Sequence, residues 1–291
     1  MKKKHKLHRL EDSCLYKIPS PKLLAKHLYT TPLALEALAD TSRQRYTYWN
    51  ERKKNGGVRP ISAPFDELKR VQRRLAELLH KIELPDYVFA PVKGRSYVDN
   101  GRMHKDQQAF CLMDIENFYP SCTEAKVLAF FRNRMKCTLD TAVVLAKLTC
   151  DKGSLPQGSP TSPILAYLAY SEMWDDINNH AKAGDNIFSL YADDLTISGA
   201  RVLGSTIWEI KKLVRKHGLT LKSEKERWIF GMSAPVTGTI TGNGHLKLPN
   251  KQHAALAIAK AEFARPGGNR TKKGNVLRGR QAQAKQVQPN L

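Results

Sequence analysis

The sequence predicts an α+β protein, and three observations carry the prediction. Apolar residues return at helical spacing in several stretches, most plainly Leu68, Val71, Leu75, Leu78, Leu79 and Ile82. Other stretches are short, apolar or alternating, and close on turn residues, as the strands of hairpins do. The chain has 291 residues, 41% of them hydrophobic, enough for one large domain or two modest ones around a buried core.

Near the start, SPKLLAKHLYT (20–30) and TPLALEALAD (31–40) each set a Ser or Thr before a Pro, the cap and first turn of a short helix. In RYTYWNERKKNGGVRPIS (45–62), Tyr46 and Tyr48 alternate with polar residues and Asn55-Gly56-Gly57 supplies a turn, which predicts a hairpin. The helix marked by Leu68 to Ile82 follows. QAFCLMD (108–114) reads as a strand ending at Asp114, and Ser121-Cys122-Thr123-Glu124 as a capping box that starts the helix EAKVLAFFRNRM (124–135). LPQGSPTSP (155–163) is a loop, and Ile164, Tyr167, Tyr170, Trp174 and Ile177 mark one face of the next helix. Residues 188–191 and 195–198 form two short strands, with Asp193 and Asp194 at the turn between them. Beyond Pro249 one more helix is expected over 251–268. The remainder, with seven Lys or Arg after Ala264 and no acidic residue after Glu262, reads in isolation as disordered. No internal repeat is present.

Lys and Arg number 48 against 27 acidic residues, a formal charge of +21 that attracts polyanions and opposes self-association. Nucleic acid is therefore the leading partner. No apolar run approaches the roughly 18 residues of a spanning helix. The basic N-terminus continues with charge where a signal peptide would turn apolar, so no export is expected. Cys14, Cys111, Cys122, Cys137 and Cys150 are odd in number and lack CxxC pairs, which argues against a disulfide framework and a zinc site and fits a reducing cytoplasm.

Adjacent aspartates are common in solvated turns. Here apolar strands flank Asp193 and Asp194, which places their turn partly inside a cleft, and Asp114 also ends an apolar strand. Carboxylates held about 4 Å apart repel by roughly 4 kcal/mol per pair at an effective dielectric near 20. Either one is protonated or a cation is present. Mg2+ favours a few carboxylate oxygens plus substrate phosphates, and two such ions can clamp the entering and leaving oxygens of a phosphoryl transfer. That chemistry serves a polymerase or a nuclease.

The order of several motifs separates these. LMDIENFYPS (112–121), LPQGSPTSP (155–163), LYADDLTISG (190–199) and GLTLKSEKERW (218–228) resemble, in sequence, the palm motifs of reverse transcriptases. GGVRPISAP (56–64) with LKRVQRRL (68–75) resembles the first fingers motif. NGRMH (100–104) is similar to the Asn-Ala-x-x-His signature of bacterial retron reverse transcriptases, with Gly101 in place of the alanine, and Val236-Thr237-Gly238 resembles their Val-Thr-Gly signature.

The resemblance implies a right-hand polymerase: an N-terminal region and fingers over 1–112, a palm of antiparallel sheet backed by helices over 113–235, and a small basic thumb over 236–291. It implies that Asp114, Asp193 and Asp194, with the Ile115 carbonyl, hold two Mg2+ ions. Arg59, flanked by Lys53 and Lys54, would grip the incoming triphosphate bidentately, although a solvated basic hairpin has the same composition. Tyr119 would exclude a ribose 2′-hydroxyl, Gln157 would donate hydrogen bonds to the nucleotide, and Gly158 would let the backbone approach it. Lys225 would neutralise or protonate the departing pyrophosphate, while Lys222 and Lys225 also read as surface charges. Asn100, His104, Val236, Thr237 and Gly238 would lie near template RNA. As isolated residues, Asn100 and His104 read as a local cap and a hydrogen-bonded core histidine. The aromatic and basic stretch over 43–54 could stack on single-stranded nucleic acid or simply pack.

For a retron enzyme the implied partners are a structured noncoding RNA serving as template and primer, deoxynucleoside triphosphates, the single-stranded DNA product joined 2′,5′ to RNA, and an effector protein encoded nearby. The implied setting is antiphage defence in the bacterial cytoplasm. Three other readings stay open: a group II intron-like enzyme, disfavoured by the lack of room for maturase and endonuclease domains after residue 291; an RNA- and DNA-binding scaffold restraining an effector; and a two-metal nuclease, which leaves Arg59, Tyr119 and the PQG loop without a joint purpose.

Overall fold

A computed structural model of the chain describes residues 7–52 and 56–289. Lys53, Lys54 and Asn55 lie outside the described residues. Two short helices open the fold, α1 (Pro21–His27) and α2 (Pro32–Asp40), capped as expected: the Ser20 hydroxyl accepts from Leu23 N–H and the Thr31 hydroxyl from Ala34 N–H, with proline in each first turn. The expected hairpin follows as β1 (Tyr46–Arg52) and β2 (Val58–Pro64), antiparallel from Tyr46↔Pro64 to Arg52↔Val58. Helix α3 (Asp66–Leu79) buries Leu68, Val71, Leu75, Leu78 and Leu79 along one face. It ends before Ile82, which instead forms an isolated bridge with His8.

The central sheet is assembled from distant segments: β3 (Val88–Ala90), then, after α4 (Tyr97–Met103), β4 (Ala109–Asp114). A helical layer intervenes, comprising α5 (Phe118–Ser121), α6 (Glu124–Ala129), which runs into a π-helical turn over Phe130–Arg134, α7 (Leu139–Thr149), α8 (Ser162–Leu168) and α9 (Ser171–Ala183). The chain returns as β5 (Ile187–Tyr191) and β6 (Asp194–Gly199), crosses α10 (Gly204–Lys216), and adds β7 (Arg227–Phe230). The strand order is β3-β5-β6-β4-β7. All neighbours are antiparallel except β3 and β5, so the expected antiparallel sheet carries one parallel edge.

Two helix expectations need correction. The helix after the Asp114 strand starts not at a Ser121 capping box but two residues later, where the Thr123 hydroxyl accepts from Lys126 N–H; Ser121 ends α5 and donates to the Glu116 carbonyl. The single helix expected through Ile164 and Ile177 is broken between α8 and α9. Tyr170 at the break leaves helical dihedrals and donates its hydroxyl to the Ser121 carbonyl, yet it stays buried with Trp174 and Ile177 in the main core.

The C-terminal region is a three-stranded antiparallel sheet, β8 (Ala234–Val236), β9 (Thr239–Gly242) and β10 (His245–Lys247), followed by α11 (Asn250–Ala264) and α12 (Arg270–Val287). The tail that reads as disordered in isolation is thus helical. Asn269 caps it through Lys272 N–H, and Ala284 and Val287 close a small second core with Val98 of α4, Leu248 and Leu256. Burial against a partner distant in sequence overrides the basic composition. Among the described residues no helix is long and apolar enough to cross a membrane.

Candidate active site

Side chains alternate across a sheet, so register decides which residues share a face. The β4–β6 ladder pairs Phe110 with Ser198, Leu112 with Thr196 and Asp114 with Asp194. Cys111, Met113, Leu195 and Ile197 point the other way, into the main core beneath the helices. The β5–β6 ladder closes at Tyr191↔Asp194, leaving Ala192 and Asp193 as a two-residue turn in which Ala192 takes a φ of +56°. The three aspartates meet at the strand ends because the Ile115 N–H donates to the Asp193 carbonyl at 3.0 Å, while Lys222 N–H donates to the Asp114 carbonyl at 2.9 Å.

Burial decreases across the set: Asp114 is buried, Asp193 half-buried and Asp194 exposed. Desolvation, then the charge of Asp114, raises the Asp193 pKa. Desolvation, then the charges of Asp193 and Asp114, pushes Asp194 up to about 7. Water reaching the exposed Asp194 moderates that shift. Opposite Asp114 stand two ammonium groups, Lys225 Nζ at 2.6 Å from Oδ2 and Lys222 Nζ at 2.9 Å from Oδ1. Lys222 approaches Oδ1 as an ion pair without hydrogen-bond geometry, and that buried oxygen accepts no hydrogen bond. The Lys225 pKa is lowered by desolvation but raised more by the hydrogen bond and charge of Asp114 with the charges of Asp194 and Asp193, and the net shift is upward.

Among the described residues no three His, Cys, Asp or Glu side chains stand together as a formed metal cage. The donor set nevertheless fits hard divalent cations: crowded carboxylates with raised pKa values, and an Asp114 oxygen without a hydrogen bond. Magnesium takes only one or two carboxylates and completes its shell with water and substrate phosphates, so no preformed cage is required.

A cleft of about 210 Å³ opens beside the carboxylates, walled by Asp114, Asp194, Lys225, Arg227, Val236 and Thr237 among others. Thr237 thus lines the same cleft as Asp114 and Asp194. Tyr119 is half-buried near the carboxylate turn; desolvation, then the charge of Asp193, raises its hydroxyl to about 12, with Arg59 opposing. It lines a smaller hollow with Ala192, Phe118 and Pro91. Arg59 is exposed on β2, paired in register with Glu51.

The PQG loop faces the β1–β2 hairpin. The Gln157 carbonyl accepts from Ser62 N–H at 2.9 Å, and Gln157 lines a cleft with Tyr48, Trp49 and Lys152. A Cβ on Gly158 (φ +135°) would lie 3.0 Å from the Ser62 carbonyl oxygen. The close approach made by this glycine is therefore to β2. Asn100 and His104 are fully buried, so neither side chain reaches a template directly in this conformation. Gly238 is exposed at φ +97°, and its carbonyl accepts from Gln252 of α11.

Several contributors escape sequence reasoning. Asp151 is buried and accepts from Tyr48 and Ser62, while Gln72 of α3 donates to Tyr46 and accepts from Ser159 of the PQG loop, so polar side chains anchor the hairpin and loop to the body. Arg227 opens β7 opposite Leu112 of β4 and so enters the cleft wall. The polar pairs of Asp151 with Ser62 and Tyr48, 89 and 103 positions apart in the chain, leave no local signal in the sequence.

Carboxylates at the turn of an antiparallel hairpin, on a sheet backed by helices, define an α+β polymerase fold. The chain superposes with a TM-score of 0.50 on the foamy viral protease-reverse transcriptase solved in complex with double-stranded DNA, over 97% of this chain and 45% of that one; at 13% identity the likeness is one of fold. The chain belongs to the reverse transcriptase (RNA-dependent DNA polymerase) family, whose sequence model matches residues 51–254. Among its relatives are retron Se72 reverse transcriptase of Salmonella heidelberg, 29% identical over 59% of this chain and 47% of the relative, and retron Ec86 reverse transcriptase of Escherichia coli, 34% identical over 56% and 52%. Retron Ec83 reverse transcriptase of Escherichia coli is 26% identical over 75% of each chain. The match thus spans about half the length of the first two relatives.

Proposed function

We propose that this chain is a retron reverse transcriptase that copies a structured noncoding RNA into short single-stranded DNA linked 2′,5′ to RNA, and that it acts in antiphage defence in the bacterial cytoplasm. The observation that carries the reading is the meeting of Asp114, Asp193 and Asp194 at paired strand ends beside a cleft, within the segment that matches the family. Residues 1–112 then act as N-terminal region and fingers, 113–235 as palm, and 236–291 as a small basic thumb.

In this reading Asp114, Asp193, Asp194 and the Ile115 carbonyl would hold two Mg2+ ions, which supply Lewis acidity at the attacking hydroxyl and the triphosphate. Arg59 orients the triphosphate through a bidentate grip. Tyr119 offers a flat wall to the sugar and rejects a 2′-hydroxyl by contact. Gln157 and Gly158 hold the β1–β2 hairpin over the nucleotide, which positions Arg59. Lys225 releases Asp114 and turns its proton toward the leaving pyrophosphate, with Lys222 as a second neutralising charge. The segments around Asn100–His104 and Val236–Gly238 shape the path of the RNA, and a neighbouring effector protein is a further partner.

The test is expression with the adjacent noncoding locus, followed by a denaturing gel of bound nucleic acid before and after RNase. A DNase-sensitive band that shortens with RNase and vanishes in the Asp193→Asn, Asp194→Asn variant is expected. RNA that copurifies without DNA would sink the polymerase reading and favour a binding scaffold.

A further inference from the structure

Helix α4 lies on the same face of the central sheet as the cleft and is bonded in two directions. Toward the sheet, the His104 ring bridges Ser198 Oγ through Nδ1 at 2.6 Å and Ser189 Oγ through Nε2 at 2.7 Å, one serine from each strand of the carboxylate hairpin. Burial pushes the imidazole down to about 3, so it stays neutral and bridges a donor and an acceptor at any working pH. Toward the small sheet, Asn100 Nδ2 donates to Thr237 Oγ1 at 3.0 Å, and Thr237 Oγ1 donates to the Tyr97 carbonyl. Thr241 Oγ1 donates to the Gly101 carbonyl at 2.7 Å. A Cβ at Gly101 would lie 2.1 Å from Thr239 Oγ1, so the glycine lets α4 and β9 meet face to face.

Thr237 has a φ of +45°, a left-handed conformation that a β-branched residue adopts only when its surroundings impose it. The two-residue turn between β8 and β9 requires it, with Gly238 also at positive φ, and α4 holds that turn through Asn100 and the Tyr97 carbonyl. Thr237 is also a wall of the cleft that holds Asp114 and Asp194. One helix therefore grips both walls.

We propose that Asn100 and His104 are positioning residues: α4 locks the Val236–Gly238 turn and the carboxylate hairpin into one block, fixing where a strand end in the cleft stands relative to the carboxylates. The inference rests on the polymerase reading for its kinetic consequence but not for the coupling itself.

Two measurements test it. In primer extension on a homopolymer template, Asn100→Ala and Thr237→Val should each lower kcat about tenfold, because small misplacements at reacting atoms are expensive. KM for the nucleotide should stay within about twofold, and the double variant should be no worse than either single one. Thr237→Ser should keep wild-type kcat. Thr237→Gly, which removes hydroxyl and backbone strain together, should hold its thermal midpoint yet share the kcat loss. Wild-type kcat in Thr237→Val, multiplicative losses in the double variant, or kcat that merely tracks the thermal midpoint would overturn the proposal.

The second measurement is amide hydrogen exchange, which reads coupling whether or not the protein polymerises. His104→Phe should raise exchange at 236–238 as well as at 189–198, and Asn100→Ala should do the reverse if the first variant does not fold. Exchange confined to the mutated side overturns the coupling. A wild type that fails to extend any primer, with exchange coupled as expected, counts against the polymerase reading alone.

Discussion

At the scale of single residues, Asp193 and Asp194 occupy a place that the fold alone would not choose, since desolvation and then the charge of Asp114 raise the first pKa, and desolvation and then the charges of Asp193 and Asp114 raise the second. For Asp194 the ordinary value is 3.8 and the folded, metal-free value about 7, so the folded state binds the extra proton between those limits. The metal-free protein should therefore lose stability as pH rises through that window, with the full penalty present above it. Added Mg2+ should raise the thermal midpoint more at pH 8 than at pH 5, which melts with and without the ion at both values would show. Asp194→Asn should reduce the pH-dependent loss, leaving the part due to Asp193, and abolish nucleotide incorporation; a variant that retained incorporation would exclude Asp194 from the chemistry. Gly158 makes a second prediction at this scale. Gly158→Ala meets both a positive φ and the Ser62 carbonyl, and should destabilise by about 1–3 kcal/mol in denaturant titration. It should also raise KM for the nucleotide, because β2 carries Arg59.

At the scale of elements, α12 shows how a weak local signal becomes a helix. It starts on the Asn269 cap and closes on Ala284 and Val287, while Gln283 donates to the Tyr97 hydroxyl of α4 and Gln288 accepts from Leu248 N–H. Asn269→Ala should cost about 1 kcal/mol of helix stability. Ala284→Glu, which places a charge in the small core, should release the helix altogether, visible as a loss of helical circular dichroism with the main core still folded. Legibility at this scale followed locality. Helices with a cap and proline at hand, such as α1 and α2, begin at the residue the sequence marks, and the hairpin of Asp193 and Asp194 turns where the sequence places it. The break at Tyr170 and the start of α6 were not legible, because each answers to a hydrogen bond with a distant segment, Tyr170 with the Ser121 carbonyl and Glu124 N–H with the Gly153 carbonyl.

At the scale of the whole molecule, the charge of +21 predicts that the proposed binding to nucleic acid depends strongly on salt. If six or more phosphates are neutralised, affinity should fall about a thousandfold or more between roughly 50 and 200 mM salt. A filter-binding titration against salt would measure the slope, and a flat response would exclude phosphate contact as the main source of binding. Reversing charge on α12, for instance Arg278→Glu with Arg280→Glu, should reduce that slope without changing incorporation on a short external primer.

The sequence by itself determined the α+β class, the placement of Asp114, Asp193 and Asp194 at strand ends and the basic character, because each is written in local periodicity, turn chemistry or composition, while the order of the motifs was legible through resemblance to a family. Tertiary structure alone decided that Gly158 serves β2, that Lys222 joins Lys225 at Asp114, that the basic tail is a helix, and that buried Asn100 and His104 tie the cleft walls together. The physical reason is shared: a buried group must find its partner, a hydrogen bond for the polar ones and close packing for Gly158, Ala284 and Val287, and here the partners lie far along the chain, where no local pattern records them.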